Sequence, residues 1–235
     1  MKIFPEVDIM KQVPKIKKMG YVQTMREHDT GIGFTFESLM GIKENNLKNH
    51  DFTYNGEEVE CKTRRRGTSA NLTMFTKEPP IRDIKDVELM KKYGYTDQKG
   101  RLGLKPDCVY GQFNPQNLSL STDEKNETIS LIDSDGYKPW TWTCDDVSKK
   151  MRNLLLVFAD SKKENGSEYF FYDEAYYLKD FDRSKFLGLI KNKKIVVNLR
   201  MHQKDNGTSR NHGTAFRISS MDELMDCYGA KIQII

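Results

Sequence analysis

Asp51-Phe52-Thr53-Tyr54-Asn55-Gly56-Glu57-Glu58-Val59-Glu60-Cys61-Lys62-Thr63 is the stretch on which the reading of this chain turns. Asn55-Gly56 favours a tight hairpin turn, because both residues tolerate positive φ. Residues 51–63 are therefore predicted to form a hairpin, or a strand following a turn. Side chains on a strand alternate between its two faces. Val59 and Cys61 then share a face suited to a core, while Glu58, Glu60 and Lys62 share the other, and the turn returns Asp51 beside them. Carboxylates and one ammonium gathered in this way make a compact acidic pocket, and hard oxygen ligands of this kind hold Mg²⁺. Such an ion polarises a phosphate and lowers the pKa of a bound water. The lysine can orient or deprotonate that water, or stabilise charge building on the phosphate.

An isolated Glu-x-Lys is usually an amphipathic strand with a solvated outer face. Three neighbours strengthen the chemical reading: Asp51 upstream, a second carboxylate, Glu37, on the preceding helix, and the basic run Arg64-Arg65-Arg66 that follows. Asp51, Glu60 and Lys62 are the expected catalytic core. Asp51 and Glu60 are the expected metal ligands.

Outward from this segment, residues 6–27 read as mostly helical and basic. Phe34 to Met40 has a helical apolar pattern, with Gly41 as its stop. Leu72–Thr76 reads as a strand, and Asp145–Arg152 as a short helix. Leu154–Ala159 is a continuous apolar run, hence a buried strand. Tyr169–Tyr172 is another strand, Arg183–Lys191 a helix and Ile195–Leu199 a strand. Residues 203–213 read as a polar loop, and Ser220 with Glu223 as a capping box. Residues 95–140 are rich in turn formers and resist assignment. The mixture indicates an α/β class with a mixed sheet flanked by helices.

Composition bounds the function. The 235 residues are 37% hydrophobic and 31% charged, a globular balance with a net charge of +4, which permits a nucleic-acid partner if the positive charge is gathered on one face. Cys61, Cys108, Cys144 and Cys227 lie far apart without a CxxC pair, and His28, His50, His202 and His212 lack ligand spacing, so a zinc site is not expected. A reduced, cytoplasmic protein is the simplest reading. The start Met1-Lys2-Ile3-Phe4-Pro5 has no long apolar run behind it, so neither leader nor membrane span is expected. No Ser-His-Asp pattern or P-loop occurs.

Several residues are candidates for contact with DNA. Thr30-Gly31-Ile32-Gly33 reads as a loop leading into a helix, and Thr30 and its glycines could let a phosphate approach the helix N-terminus. Arg64 and Arg66 follow directly on the Glu60-x-Lys62 strand, and Lys149 precedes the buried strand. Arg200, His202, Arg210, His212 and Arg217 surround a Gly- and Asn-rich segment that could enter a groove, where arginine bonds guanine.

Asp51…Glu60-x-Lys62 resembles the PD-(D/E)xK nuclease motif, with His50 in place of the usual proline. Thr30-Gly31-Ile32-Gly33-Phe34-Thr35-Phe36-Glu37-Ser38-Leu39-Met40-Gly41-Ile42, Glu60-Cys61-Lys62-Thr63-Arg64-Arg65-Arg66 and Leu72-Thr73-Met74-Phe75-Thr76-Lys77-Glu78-Pro79 together resemble the MvaI/BcnI restriction endonuclease family, relatives of the repair nuclease MutH. Asn211-His212-Gly213-Thr214-Ala215-Phe216-Arg217-Ile218 is similar to that family's C-terminal region. The resemblance implies a restriction-endonuclease-like fold over residues 1–235, with two lobes around a DNA cleft: approximately 1–160 mainly catalytic and 161–235 mainly DNA recognition. It implies a monomer that uses Mg²⁺ to cut double-stranded DNA, one strand at a time, at a short, nearly palindromic G·C-rich site. By that resemblance Glu37 matches the family's helix carboxylate near the metal site and joins the expected metal ligands and catalytic residues, and Thr73 and Lys77 join the DNA-binding candidates. A companion methyltransferase in the host is implied. A MutH-like repair nicking enzyme and a non-catalytic DNA-binding protein on the same fold are the alternatives.

Overall fold

A computed structural model describes residues 4–43, 50–98 and 100–235. Residues 1–3 of the start read for a leader, and Lys99 in the unassigned stretch, lie outside these. The chain forms two compact units. Unit 1 is built from residues 1–69, 152–181 and 228–235, and unit 2 from 70–151 and 182–227. The units interleave along the sequence.

Unit 1 is organised on a mixed sheet. Its strands run in the order Val22–Gln23, Ser167–Phe181, Asn153–Glu164, Glu57–Arg65 and Phe52–Tyr54, with Tyr228–Gln233 also paired to Ser167–Phe181. Asn153–Glu164 and Glu57–Arg65 are parallel, and the other pairings are antiparallel. The apolar run 154–159 sits in the centre of this sheet, as its composition requires. Helices Ile9–Lys18 and Gly31–Leu39 contribute Ile9, Val13, Ile16, Ile32 and Phe36 to a core shared with Val59, Cys61, Leu155, Val157, Phe170 and Tyr172. Asp8 caps the first helix by accepting from the Lys11 amide at 3.2 Å, and Lys15, Lys17 and Lys18 complement its C-terminal dipole. That helix is shorter than expected over 6–27. Gly20 takes a φ of +69°, and the chain turns into Val22–Gln23, which pairs with Phe170 and Tyr169. The second helix stops at Gly41, φ +79°, as read from sequence.

Among the described residues, unit 2 contains three four-stranded antiparallel sheets. The first orders Ile81–Arg82, Trp140–Thr143, Thr128–Ile132 and Ser119–Asp123. The second orders Leu72–Thr76, Ala215–Ile218, Ile195–Asn198 and Asp107–Cys108. The third orders Ser209–Asn211, Met201–Gln203, Leu102–Leu104 and Tyr95–Thr96. Phe216 stacks on Phe75 at 4.7 Å and meets Trp142 edge-on at 5.6 Å, an apolar centre held by Trp142 Nε1–H donating to the Lys77 carbonyl at 2.8 Å. The unassigned stretch 95–140 thus carries several short strands joined by turns. Residues 203–213, read as a loop, form half of a hairpin in which His202 faces Arg210 and Met201 faces Asn211. The short helix spans Cys144–Ser148, and Arg183–Lys191 is helical as expected.

Candidate active site

The hairpin forms as its sequence dictates. Asn55 and Gly56 take φ of 51° and 75°, and Phe52–Tyr54 pairs with Glu57–Val59. Asp51 lies one residue before this pairing, its amide donating to the Val59 carbonyl at 3.1 Å. Its carboxylate reaches further along the partner strand and accepts from the Cys61 amide at 2.7 Å. The Asp51 oxygens are thereby fixed at the level of the Glu60-Cys61-Lys62 backbone. Val59 and Cys61 are buried, whereas Glu60 and Lys62 are half-buried on the opposite face. Lys62 Nζ donates to Glu60 Oε1 at 2.5 Å.

The electrostatics follow from this crowding. Burial, and then the nearby Glu60 charge, push the Asp51 carboxyl up to about 6, against the opposing Cys61 amide and Lys62 ammonium. For Lys62, burial works against the charged form, but the Glu60 carboxylate, its hydrogen bond and Asp51 outweigh it, so the ammonium is held above its ordinary range. The Cys61 thiol is driven far up by burial and then by Glu37 and Asp51, which marks it as a packing residue. Glu37 thus lies close enough to the central strand for Cys61 to feel its charge. It shares a helix face with Gly33, four residues earlier. A Cβ on Gly33 would stand 3.4 Å from Thr63 Oγ1 and 3.8 Å from Glu37 Oε1. Among the described residues, no set of three His, Cys, Asp or Glu side chains is disposed to enclose an ion.

The DNA-binding candidates divide between the units. In unit 1, Thr30 is exposed at the start of helix Gly31–Leu39. Gly31 is buried, and a Cβ there would stand 2.4 Å from the Arg26 carbonyl oxygen and 2.6 Å from Thr24 Oγ1, so the chain's own packing accounts for this glycine. Arg64 is buried and donates to the Thr68 carbonyl at 2.9 Å. Arg66 is bound by Asp160, Asp173 and Glu174. In unit 2, Thr73 pairs with Arg217 across two strands. Lys77 meets Asp146 at 3.1 Å, and the exposed Lys149 meets Asp145 at 2.7 Å. Arg200 donates to the Gly213 and His212 carbonyls at 3.0 and 2.9 Å, which braces the segment carrying His212. Arg210 and His212 are exposed, and the His212 and His202 rings lie 5.5 Å apart. Arg217 donates to the Asn71 carbonyl at 3.2 Å, and its Nε is buried without a hydrogen-bond partner.

A comparison with curated proteins found no match. Among solved structures, the chain is similar to restriction endonuclease MvaI in complex with its cognate DNA substrate, with a TM-score of 0.79, 26% identity and 97% of each chain covered. It is also similar to MvaI in the absence of DNA, with a TM-score of 0.61, 26% identity and 100% of each chain covered. A profile of the MvaI/BcnI restriction endonuclease family matches residues 10–225. The chain belongs to the MvaI/BcnI restriction endonuclease family. The mixed α/β fold and endonuclease class read from the sequence agree with this membership.

Within this family member, the structure also gathers side chains that sequence reasoning left out of the site. His50, buried beside Asp51, has Nδ1 3.3 Å from Glu58 Oε1 and 3.3 Å from Arg152 Nη1. Arg152 in turn pairs with Glu58. Strand alternation does place Glu58 on the Glu60 face. Nothing in local sequence shows that Arg152, almost a hundred residues later, comes beside it.

Proposed function

We propose that this protein hydrolyses phosphodiester bonds in double-stranded DNA at a short, nearly palindromic G·C-rich site. It does so as a Mg²⁺-dependent monomer that nicks one strand at a time. The carrying observation is the convergence of Asp51, Glu60 and Lys62, fixed by the Cys61 amide on the Asp51 carboxylate. The partner class follows the MvaI relative, which was captured with cognate DNA substrate. Asp51 and Glu60 are the metal ligands, with Glu37 supporting them from the helix.

The donor set fits a hard divalent cation. Two carboxylates stand so close, one of them partly desolvated, that Glu60 raises the Asp51 pKa, and added positive charge would relieve that repulsion. When bound, the ion supplies Lewis-acid charge and a water of lowered pKa. The Cys61 amide keeps Asp51 oriented. Lys62 remains an ammonium, because Glu60 and Asp51 hold its pKa up. It therefore stabilises charge building on the phosphate oxygens.

Unit 1 is the catalytic unit, and unit 2 reads sequence through Arg200, Arg210, His212 and Arg217, with Thr73, Lys77 and Lys149 toward the backbone. Thr30, Gly31, Arg64 and Arg66 are retained as backbone-contact candidates of unit 1, of which the exposed Thr30 is the strongest. A site-specific nuclease of this kind implies a cytoplasmic setting with a companion methyltransferase that protects host DNA. The test is incubation of purified protein with plasmid DNA and Mg²⁺, followed by sequencing of the product ends. Discrete ends at one short sequence support the proposal. Intact plasmid, or random ends, overturns it.

A further inference from the structure

Next to the Glu60 face of strand Glu57–Arg65 stands a further cation that the hydrolytic reading does not use. Arg152 immediately precedes the strand Asn153–Glu164, in which Leu154 is registered opposite Glu60. Residues in register across a sheet point to the same side. Two residues earlier on both strands stand Arg152 and Glu58, and their side chains pair. Arg152 Nη1 also lies 3.3 Å from His50 Nδ1. The same ring nitrogen lies 3.3 Å from Glu58 Oε1, so His50, Glu58 and Arg152 form one contact group. Phe4 packs on the imidazole with ring centroids 3.9 Å apart. The Tyr228 hydroxyl donates to the Arg152 carbonyl at 3.2 Å. Both ends of Arg152 are therefore held, next to the residue that precedes Asp51.

The neighbouring arginines are committed elsewhere. Arg64, on the same face, is buried against the Thr68 carbonyl. Arg65 is bound bidentately by Glu168, both contacts at 3.0 Å. Arg66 is bound by Asp173 and Glu174. Arg152 differs in its partner: the Glu58 side chain is 55% exposed. A pair open to water on its acidic side is weak and exchangeable. A phosphodiester offers the guanidinium two oxygens in a matching fork geometry.

We propose that Arg152 is a phosphate-binding residue of this nuclease, which exchanges Glu58 for a phosphate of the cut strand close to the bond held at Asp51, Glu60 and Lys62. This rests on the nuclease reading above. Glu58 is the placeholder that keeps the guanidinium extended and charge-paired before DNA arrives.

The experiment uses the full chain in single-turnover cleavage of a duplex containing the mapped site. A series of duplexes carries one neutral methylphosphonate in place of each phosphate around the cut. At one position the substitution should slow the wild-type protein about 10–100-fold, the scale of a lost positioning contact. Arg152→Ala should be slowed to the same degree on the unmodified duplex and lose nothing more at that position. Arg152→Lys should fall between. Arg152→Ala cutting at the wild-type rate overturns the proposal, as do losses that simply add at every position, the mark of a structural role. Should Arg152→Ala fold poorly, Glu58→Gln decides. Freeing the guanidinium should tighten binding of the unmodified duplex in Ca²⁺, but not of the duplex neutralised at the critical position, and equal binding counts against the proposal. Asp51→Asn is assayed in parallel: if it cuts at the wild-type rate, the nuclease reading itself fails, whatever Arg152 does.

Discussion

The Asp51 carboxylate and the Cys61 amide are joined by a 2.7 Å hydrogen bond that spans the hairpin. The bond links a candidate metal ligand to the backbone between two other site residues, so a shift of either strand moves Asp51, Glu60 and Lys62 together. Cys61 serves the site through its N–H while its thiol packs in the core.

Asp51→Ala and Glu60→Ala should each lower cleavage by about three or more orders of magnitude while leaving DNA affinity largely intact, since phosphate contacts elsewhere supply most of it. Lys62→Ala should be nearly inactive. Single-turnover cleavage in Mg²⁺ and equilibrium binding in Ca²⁺ measure the two quantities separately. Full cutting by the Asp51 or Glu60 variant would remove the catalytic assignment.

Asp51 also sets an expectation for stability. Its folded pKa, about 6, lies above the ordinary 3.8. The folded state therefore holds the proton more tightly than the unfolded chain. The resulting stability is fully present below about pH 4 and is lost as pH rises through about 6. In EDTA, Asp51→Asn should flatten that slope and be more stable than wild type at pH 7 by about 1–2 kcal/mol, after discount for partial solvent exposure. Urea denaturation at pH 4.5 and 7 gives the comparison, and parallel slopes for the two proteins would refute it.

Glu37→Ala should cost less activity than Asp51→Ala and should shift the Mg²⁺ concentration needed for half-maximal rate upward. A helix carboxylate that supports the ion indirectly has this signature. An unchanged titration would exclude Glu37 from the site.

Gly31→Ala should destabilise unit 1 by about 1–3 kcal/mol, because the added methyl meets a backbone carbonyl that cannot swing away. The Arg26 oxygen would stand 2.4 Å from it. Denaturant midpoints report the loss. A neutral substitution would show that the Thr24–Arg26 segment yields freely.

Arg217→Ala or His212→Ala should weaken binding to the cognate duplex by about 1–3 kcal/mol if a bidentate base contact is lost, with a smaller effect on scrambled DNA. Competition binding in Ca²⁺ at one salt concentration separates the two. Equal losses on both duplexes would make these residues backbone contacts or structural supports. For Arg217 the structural alternative has a concrete form, its bond to the Asn71 carbonyl.

The hairpin was legible in sequence because Asn55-Gly56 fixes the turn and a two-residue period then assigns each face. The helix Arg183–Lys191 and the strand Leu72–Thr76 were legible because each carries a full apolar pattern. Residues 95–140 were not, because strands such as Tyr95–Thr96 and Asp107–Cys108 are two residues long and hold no period to read. Arg152 stayed outside the expected site for a different reason. Its place beside Glu58 depends on a parallel pairing between strands far apart in sequence, and local pattern carries no register for such a pairing. Arg64 shows the converse: its parity put it on the site's face, but Gly67, with φ +70°, turns the chain so that the Thr68 carbonyl takes its guanidinium.

The interleaving of the two units has a consequence for dissection. The backbone passes from one unit to the other four times, after residues 69, 151, 181 and 227. Neither unit is a continuous stretch of the gene, so no truncation and no single proteolytic nick can isolate one from the other. During synthesis, Asp51, Glu60 and Lys62 precede Asn153–Glu164, against which their strand is laid, by some ninety residues, and the edge strand Tyr228–Gln233 follows later still. A nascent chain thus carries the candidate catalytic side chains long before it carries the scaffold that holds them in register.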